Sequence, residues 1–239
     1  MKILALESSA KAASCAVLAD GVPVASAWQC TGLTHSRTLL PMVEDMLHSS
    51  DLTLQDLDAV AVAAGPGSFT GLRIGISAVK GLAWAADKPC MGVSTLEAMA
   101  WPLAHLEGVL FCAMDARRQQ IYNAVFRGGD GGPIRLREDR AISLEAAAAD
   151  LAALEGPLTL VGDGAQLCWQ DFTARGIPCR LAPVHLRQQS AIGVGLAAAA
   201  RWPQGAVSPQ DLSPVYLRLS QAERERLERA SREAPPPRT

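Results

Sequence analysis

The chain has 239 residues, 49% of them hydrophobic, which is too apolar for a disordered protein and enough for one large or two small packed cores. Its formal net charge is −2 with no basic cluster, which argues against strong autonomous binding to nucleic acid. Met1-Lys2-Ile3 leads straight into a strand-like run with no secretory pattern, the long apolar stretches are broken by Gly, Arg or Lys, and the six cysteines form no C-x-x-C pair. The expectation is a cytoplasmic chain with reduced thiols and no membrane contact.

Residues 2–9, 12–20 and 22–30, rich in Val, Ala, Leu and Ile, read as three strands. Asp20-Gly21 joins the last two, because a type I′ turn needs positive φ at both central positions. A helix is expected over 34–49, with Thr34 as N-cap and Pro41 costing one internal hydrogen bond. A short helical turn near 53–57 leads to an apolar strand at 59–64, a glycine-rich turn, and a long apolar helix at 71–86. A strand follows at 89–93, then a helix capped by Ser94 and running to Ala104.

The second half begins again with strands at 108–115, 120–127 and 133–140. It continues with a helix at 144–154, a strand at 157–161, a helix at 165–175 and a strand near 177–181. A small-residue helix, 191–202, is expected to close it. Three antiparallel strands followed by helix, strand, helix, strand, helix is the order of a ribonuclease-H-like unit, and two such units make the actin-like (ASKHA) group of folds. The expected architecture is therefore α/β and two-lobed, with the second unit degenerate. Residues 1–105 form the first lobe, completed by 203–220, and 106–202 form the second. In 221–239 Glu and Arg alternate before three prolines, which reads as a charged, flexible tail.

The turn Gly65-Pro66-Gly67-Ser68-Phe69-Thr70-Gly71-Leu72-Arg73-Ile74-Gly75 fits neither common phosphate motif. Its third glycine comes one residue late for the dinucleotide fingerprint, and no Gly-Lys-Ser/Thr follows for a P-loop. The residues alone leave two readings: a sharp structural corner, or a weak phosphate cradle made from the N–H groups of a helix start. As a whole, however, the segment resembles the signature of the TsaB family. Ile3-Leu4-Ala5-Leu6-Glu7-Ser8-Ser9 is similar to that family's first strand. Met114-Asp115-Ala116-Arg117-Arg118 with Tyr122, and Pro214-Val215-Tyr216-Leu217-Arg218, match its later segments in order.

The resemblance implies a non-catalytic subunit that binds and activates TsaD. That transferase carries a threonylcarbamoyl group from its adenylate to N6 of the tRNA adenosine beside the anticodon. It also implies a TsaE-like ATPase as a further partner, a homodimer in isolation, contact with tRNA only through the complex, and no cofactor. TsaD relatives carry His-x-x-x-His on the helix after the third strand; here His35 is followed by Leu39, so no metal site and no catalytic residue are expected. Glu7-Ser8-Ser9 stands where ATP-using members of the fold carry an acidic residue that helps hold metal and phosphate, and Gly162-Asp163-Gly164 weakly resembles an adenosine turn; Glu7 and Ser8 are grouped with Gly65, Gly67 and Ser68 of the glycine turn. They read either as a residual nucleotide site or as an inherited turn without ligand. Asp115 and Arg117 read as an ion pair.

The helices flanking the glycine turn are too apolar for one buried face. Leu39, Leu40, Met42, Val43, Met46 and Leu47 cover an arc of roughly 160°, where a core-facing stripe needs only ~100°. The next helix leaves a narrow polar stripe of Thr70, Arg73, Ser77 and Lys80, ending at Trp84. Members of the family pair through these two helices, which implies a partner surface of Leu39, Met42, Met46, Arg73, Ser77, Lys80 and Trp84. The alternatives are helices enclosed by their own domain, a stand-alone homodimeric binding module, and an ATP-dependent kinase or metal-dependent hydrolase of the same fold.

Overall fold

The computed structural model describes residues 1–218; the tail expected at 221–239 lies outside them. Strands β1 (Lys2–Glu7), β2 (Ala13–Ala19) and β3 (Val22–Gln29) form an antiparallel meander. Asp20 and Gly21 adopt φ of 48° and 77° at its second turn, as the Asp-Gly pair requires. Helix α1 (His35–Ser49) follows, then β4 (Ala59–Gly65), α2 (Phe69–Ala86), β5 (Cys90–Ser94) and α3 (Thr95–Ala100). The second half repeats the pattern with β6 (Val109–Asp115), β7 (Gln120–Arg127), β8 (Ile134–Ser143), α4 (Leu144–Leu151), β9 (Leu158–Val161), α5 (Ala165–Ala174) and β10 (Arg180–Leu181). A single-turn helix α6 (Val184–Arg187), helix α7 (Ala191–Arg201) and a short strand β11 (Ala206–Val207) complete the order.

The two sheets share one strand order over five strands, and the first adds a short antiparallel edge strand, β11. The first runs β11-β5-β4-β1-β2-β3 and the second β10-β9-β6-β7-β8, so each is an antiparallel meander continued by parallel strands from its first member. This duplicated order is the two-lobed actin-like fold. Serine side chains cap the helices where strands turn into them. Ser94 accepts from the Glu97 N–H at 3.2 Å, and Ser143 from the Ala146 N–H at 3.1 Å. No helix among the described residues is long and apolar enough to cross a membrane.

Four apolar clusters stack the elements into layers. Leu4, Leu6, Val17 and Val62 point from the first sheet toward α1 and α2. Ile3, Ala5, Ala16 and Leu18 point to the other face, where they meet Ala191, Val194, Ala197 and Ala198 of α7. Helix α7 therefore covers the first sheet and does not close the second half, as its position in the chain suggested. The reason is fit. That sheet face carries Ala5, Ala16, Ala59, Ala61 and Ala63 beside the larger Ile3 and Leu18, and the small residues of α7 fit it closely: a Cβ at Gly195 would sit 2.1 Å from Leu18 Cδ1. Gly193 also lets α7 approach α3, since a Cβ there would sit 2.0 Å from the Ala98 carbonyl oxygen. On the second sheet, Leu96, Met99 and Leu103 cover the β6–β7 face, while α4 and α5 cover the opposite one.

Candidate functional site

The glycine turn sets α2 in place. Gly65 has φ +136°, and a Cβ on it would lie 2.2 Å from the Val215 carbonyl oxygen. Cβ atoms at Gly67, Gly71 and Gly75 would lie 2.6 Å from Ser9 O, 2.1 Å from Ser8 O and 2.4 Å from Ser8 Oγ. Hydrogen bonds close the joint: Ser68 N–H donates to Ser9 O (2.7 Å), Ser8 Oγ to Gly71 O (2.9 Å), and Gly71 N–H to Ser68 Oγ (3.4 Å). The glycines thus press the first turn of α2 onto the loop after β1. Glu7, Ser8, Gly65, Gly67 and Ser68 do come together, but as a packing joint rather than an open cradle. The chain itself takes the room beside Gly67, Gly71 and Gly75 and the N–H groups of Ser68 and Gly71. Gly162 and Gly164 likewise pack on β6, where Cβ atoms would meet Ala113 O at 2.1 Å and the Met114 carbonyl carbon at 2.8 Å.

Glu7 is fully buried in this joint. Its Oε1 accepts from the Ser9 N–H at 2.5 Å, and its Oε2 has no hydrogen-bond partner. Burial pushes its carboxyl up to about 7, against the hydrogen bonds from Ser9 and with a further push from Asp163. Asp163, whose Oδ1 accepts from Gln189 Nε2 at 2.8 Å, is itself raised by burial. A carboxyl raised on folding stabilises the fold fully below its unfolded value, and that stability is lost as pH rises to about 7. At about 1.4 kcal/mol per pH unit the loss is on the order of 3 kcal/mol. Glu7→Gln should therefore flatten the dependence between pH 5 and pH 8 and make the chain more stable than the parent at pH 8. Denaturant titrations at both pH values measure this; equal slopes for parent and variant would overturn the assignment to Glu7.

The open feature lies between α1 and α2. It is a groove of about 560 Å³ lined by His35, Ser36, Leu39, Leu40, Thr70, Arg73, Ile74, Ser77 and Ala78. Leu39, Leu40, Ile74 and Ala78 supply its apolar surface, and Leu40 is 47% exposed. The ring of His35 is tied at Nε2 to Ala10 O, 2.7 Å away, and anchors the start of α1.

The seven residues expected to face a partner do not form one surface. Leu39 (1% exposed) and Met46 (5%) belong to the core with Leu4, Leu6 and Val17; Leu39 reaches the groove only as its floor, and Met46 lies beneath the helix. Leu39, Val43, Met46 and Leu47 follow an i, i+4, i+7, i+8 stripe, which is the sheet-facing side. Leu40 and the half-buried Met42 flank it, and Leu40, part of the apolar arc but not one of the seven, is the exposed apolar residue. On α2, Arg73 and Ser77 are exposed in the groove. Lys80 is turned aside, its Nζ donating to Gln210 O at 3.2 Å. Trp84, 66% exposed, borders a separate depression of about 270 Å³ with Asp87, Lys88 and Ser208 to Gln210. Asp115 accepts at 2.7 Å from the backbone N–H of Arg117, so the expected ion pair is a turn contact. Among the described residues no three His, Cys, Asp or Glu side chains converge to hold a metal ion.

The sequence pattern of the family "TsaD: tRNA N6-adenosine threonylcarbamoyltransferase" matches residues 29–152. The chain is similar to the tRNA threonylcarbamoyladenosine biosynthesis protein TsaB of Escherichia coli, 34% identical over 223 residues, covering 91% of this chain and 95% of that one. The Bacillus subtilis protein of the same name is 30% identical over 227 residues, with 93% and 96% covered. Among solved structures, YeaZ from Pseudomonas aeruginosa superimposes with a TM-score of 0.74 at 28% identity, covering 90% of this chain and 99% of that one.

Proposed function

This chain belongs to the TsaB family of tRNA threonylcarbamoyladenosine biosynthesis proteins, and we propose that it is the non-catalytic subunit that binds and activates a TsaD-family transferase through the groove between α1 and α2. The groove is the observation that carries the reading: an apolar floor with a half-exposed leucine, rimmed by polar groups, on two helices whose other sides are spent on the core. The position that carries a second metal-binding histidine in the transferase relatives is here Leu39, buried against the sheet, so the chemistry falls to the partner. The closed joint around Glu7 lends no support to a kinase or hydrolase role. In this reading tRNA is reached only through the complex, consistent with a net charge of −2; a TsaE-like ATPase joins it, and the complex works in the cytoplasm. In isolation the same groove pairs two copies of the chain.

Leu40→Glu and Ser77→Glu test the surface. Both side chains are exposed, so melting should be unchanged, while affinity for the TsaD-family subunit should fall at least about tenfold, as charge is placed in an apolar contact. Normal melting with undiminished affinity in both variants places the partner surface elsewhere.

A further inference from the structure

We infer that Arg73 is the specificity contact of this groove: positioned by Tyr216 and Phe69 of its own chain, it pairs with an acidic side chain on a helix of the partner subunit. The inference rests on the groove being the partner surface and adds the kind of helix it takes. Arg73 Nε donates to Tyr216 Oη at 3.0 Å. The Tyr216 and Phe69 rings stack with centroids 4.3 Å apart and planes 12° from parallel, and the guanidinium carbon lies 5.9 Å and 6.0 Å from the two centroids. The side chain is therefore held without being neutralised: among the described residues it makes no ion pair, and its one hydrogen bond uses Nε. Both terminal nitrogens remain for a forked contact, the geometry a carboxylate accepts.

The groove supplies the complement. It is lined by one arginine and one histidine and by no acidic residue, and its floor is Leu39, Leu40, Ile74 and Ala78. Apolar floor plus a cation without an ion pair among the described residues fits an amphipathic helix with an apolar stripe and a Glu or Asp beside it. Ordering the arginine before binding removes part of the entropic cost of association, which is what separates an anchor from an incidental contact. Tyr216 holds its place because Val215 N–H donates to Ala64 O at 2.7 Å and Gly65 leaves room for the Val215 carbonyl. The C-terminal segment is thus a strut for the site, and Tyr216 is a positioning residue.

The test uses the full chain and its cognate TsaD-family subunit, titrated calorimetrically at low and high salt, with melting measured beside it. Arg73→Lys keeps the charge but loses the fork and should weaken binding about tenfold. Tyr216→Phe keeps the stack, loses the Oη acceptor, and should weaken binding about threefold with melting unchanged. Arg73→Ala should flatten the salt dependence seen with the parent chain. Arg73→Glu should abolish binding, and reversing one acidic residue of the partner should restore it. If Leu40→Glu fails to bind while Arg73→Lys and Arg73→Ala bind like the parent with the same salt dependence, the groove stands and this inference falls. If Leu40→Glu binds normally, the groove reading falls and takes this one with it. If only self-association responds to Arg73, the acidic occupant is a second copy of the chain and the inference as stated is wrong. A silent Tyr216→Phe removes the positioning role.

Discussion

Gly71→Ala is expected to lower the melting temperature by roughly 6–12 °C, whereas Gly81→Ala on the same helix should raise it by a few degrees. A Cβ at Gly71 would lie 2.1 Å from the Ser8 carbonyl oxygen and 3.2 Å from its carbon. Both are backbone atoms, and the loop that carries them is pinned by the Ser68–Ser9 hydrogen bond, so no rotamer change relieves the clash. The helix must lift from the loop and give up the bond between Ser8 Oγ and Gly71 O. Overpacking of this kind costs about 3 kcal/mol, and each kcal/mol moves the midpoint of a chain this size by about 2–4 °C. A Cβ at the exposed Gly81 meets nothing within 4 Å, so the substitution there should contribute up to about 1 kcal/mol of helix propensity. Thermal unfolding of the two variants separates a packing joint from a general intolerance of change in α2; equal losses at both positions would sink the account. Because Gly71 also sets where α2 lies against α1, binding of the partner should weaken with it.

Removing Arg135 should cost about 3 kcal/mol, because one guanidinium serves two shielded carboxylates, besides the exposed Glu138, at the junction of the two halves. Its Nη1 lies 2.6 Å from Asp139 Oδ1 and its Nη2 3.1 Å from Glu97 Oε2, with the guanidinium 4.6 Å from the centre of the Phe126 ring. Glu97, on α3, also pairs with Arg201 of α7, and Asp139 accepts from Ser94 Oγ at 2.5 Å. The side chains of Arg135, Glu97 and Asp139 are 22%, 12% and 17% exposed, so solvent screens the network only in part. Arg135→Ala leaves two shielded carboxylates without their shared cation. Equilibrium unfolding of Arg135→Ala, Glu97→Ala and the double variant should give a coupling of about 1–3 kcal/mol. A cost below about 1 kcal/mol for Arg135→Ala would make the network a surface feature.

Much of the fold was legible from local signals. The apolar runs of β1, β4 and β6, the Asp20-Gly21 turn and the capping Ser94 before α3 each state a backbone preference that the structure keeps. Where the reading fell short, the signal was too brief or pointed both ways. Strand β11 is two residues long and exists only because it pairs with β5. Strand β8 runs to Ser143, three residues past its expected end, because β7 offers partners up to Gln120 opposite Ser143. Helix α1 carries one apolar arc, and nothing in it says that Leu39 and Met46 face the sheet while Leu40 faces out.

The sequence by itself determined the family, the duplicated order of elements and the pairing of two apolar helices around a glycine turn. The family rests on the resemblance of several motifs in order, the element order and the apolar helices on periodicity, and the turn on residues such as Gly65 and Gly71, whose lack of a side chain is a local property. The tertiary structure alone decided what each surface meets. It laid α7 on the first sheet, filled the glycine joint with Ser8 and Ser9, turned Lys80 away, and set Tyr216 against Arg73, 143 residues earlier in the chain. A residue's type and spacing fix which side of an element is apolar. Which neighbour covers that side depends on shape and volume contributed by distant segments, and that information exists only once the chain is packed.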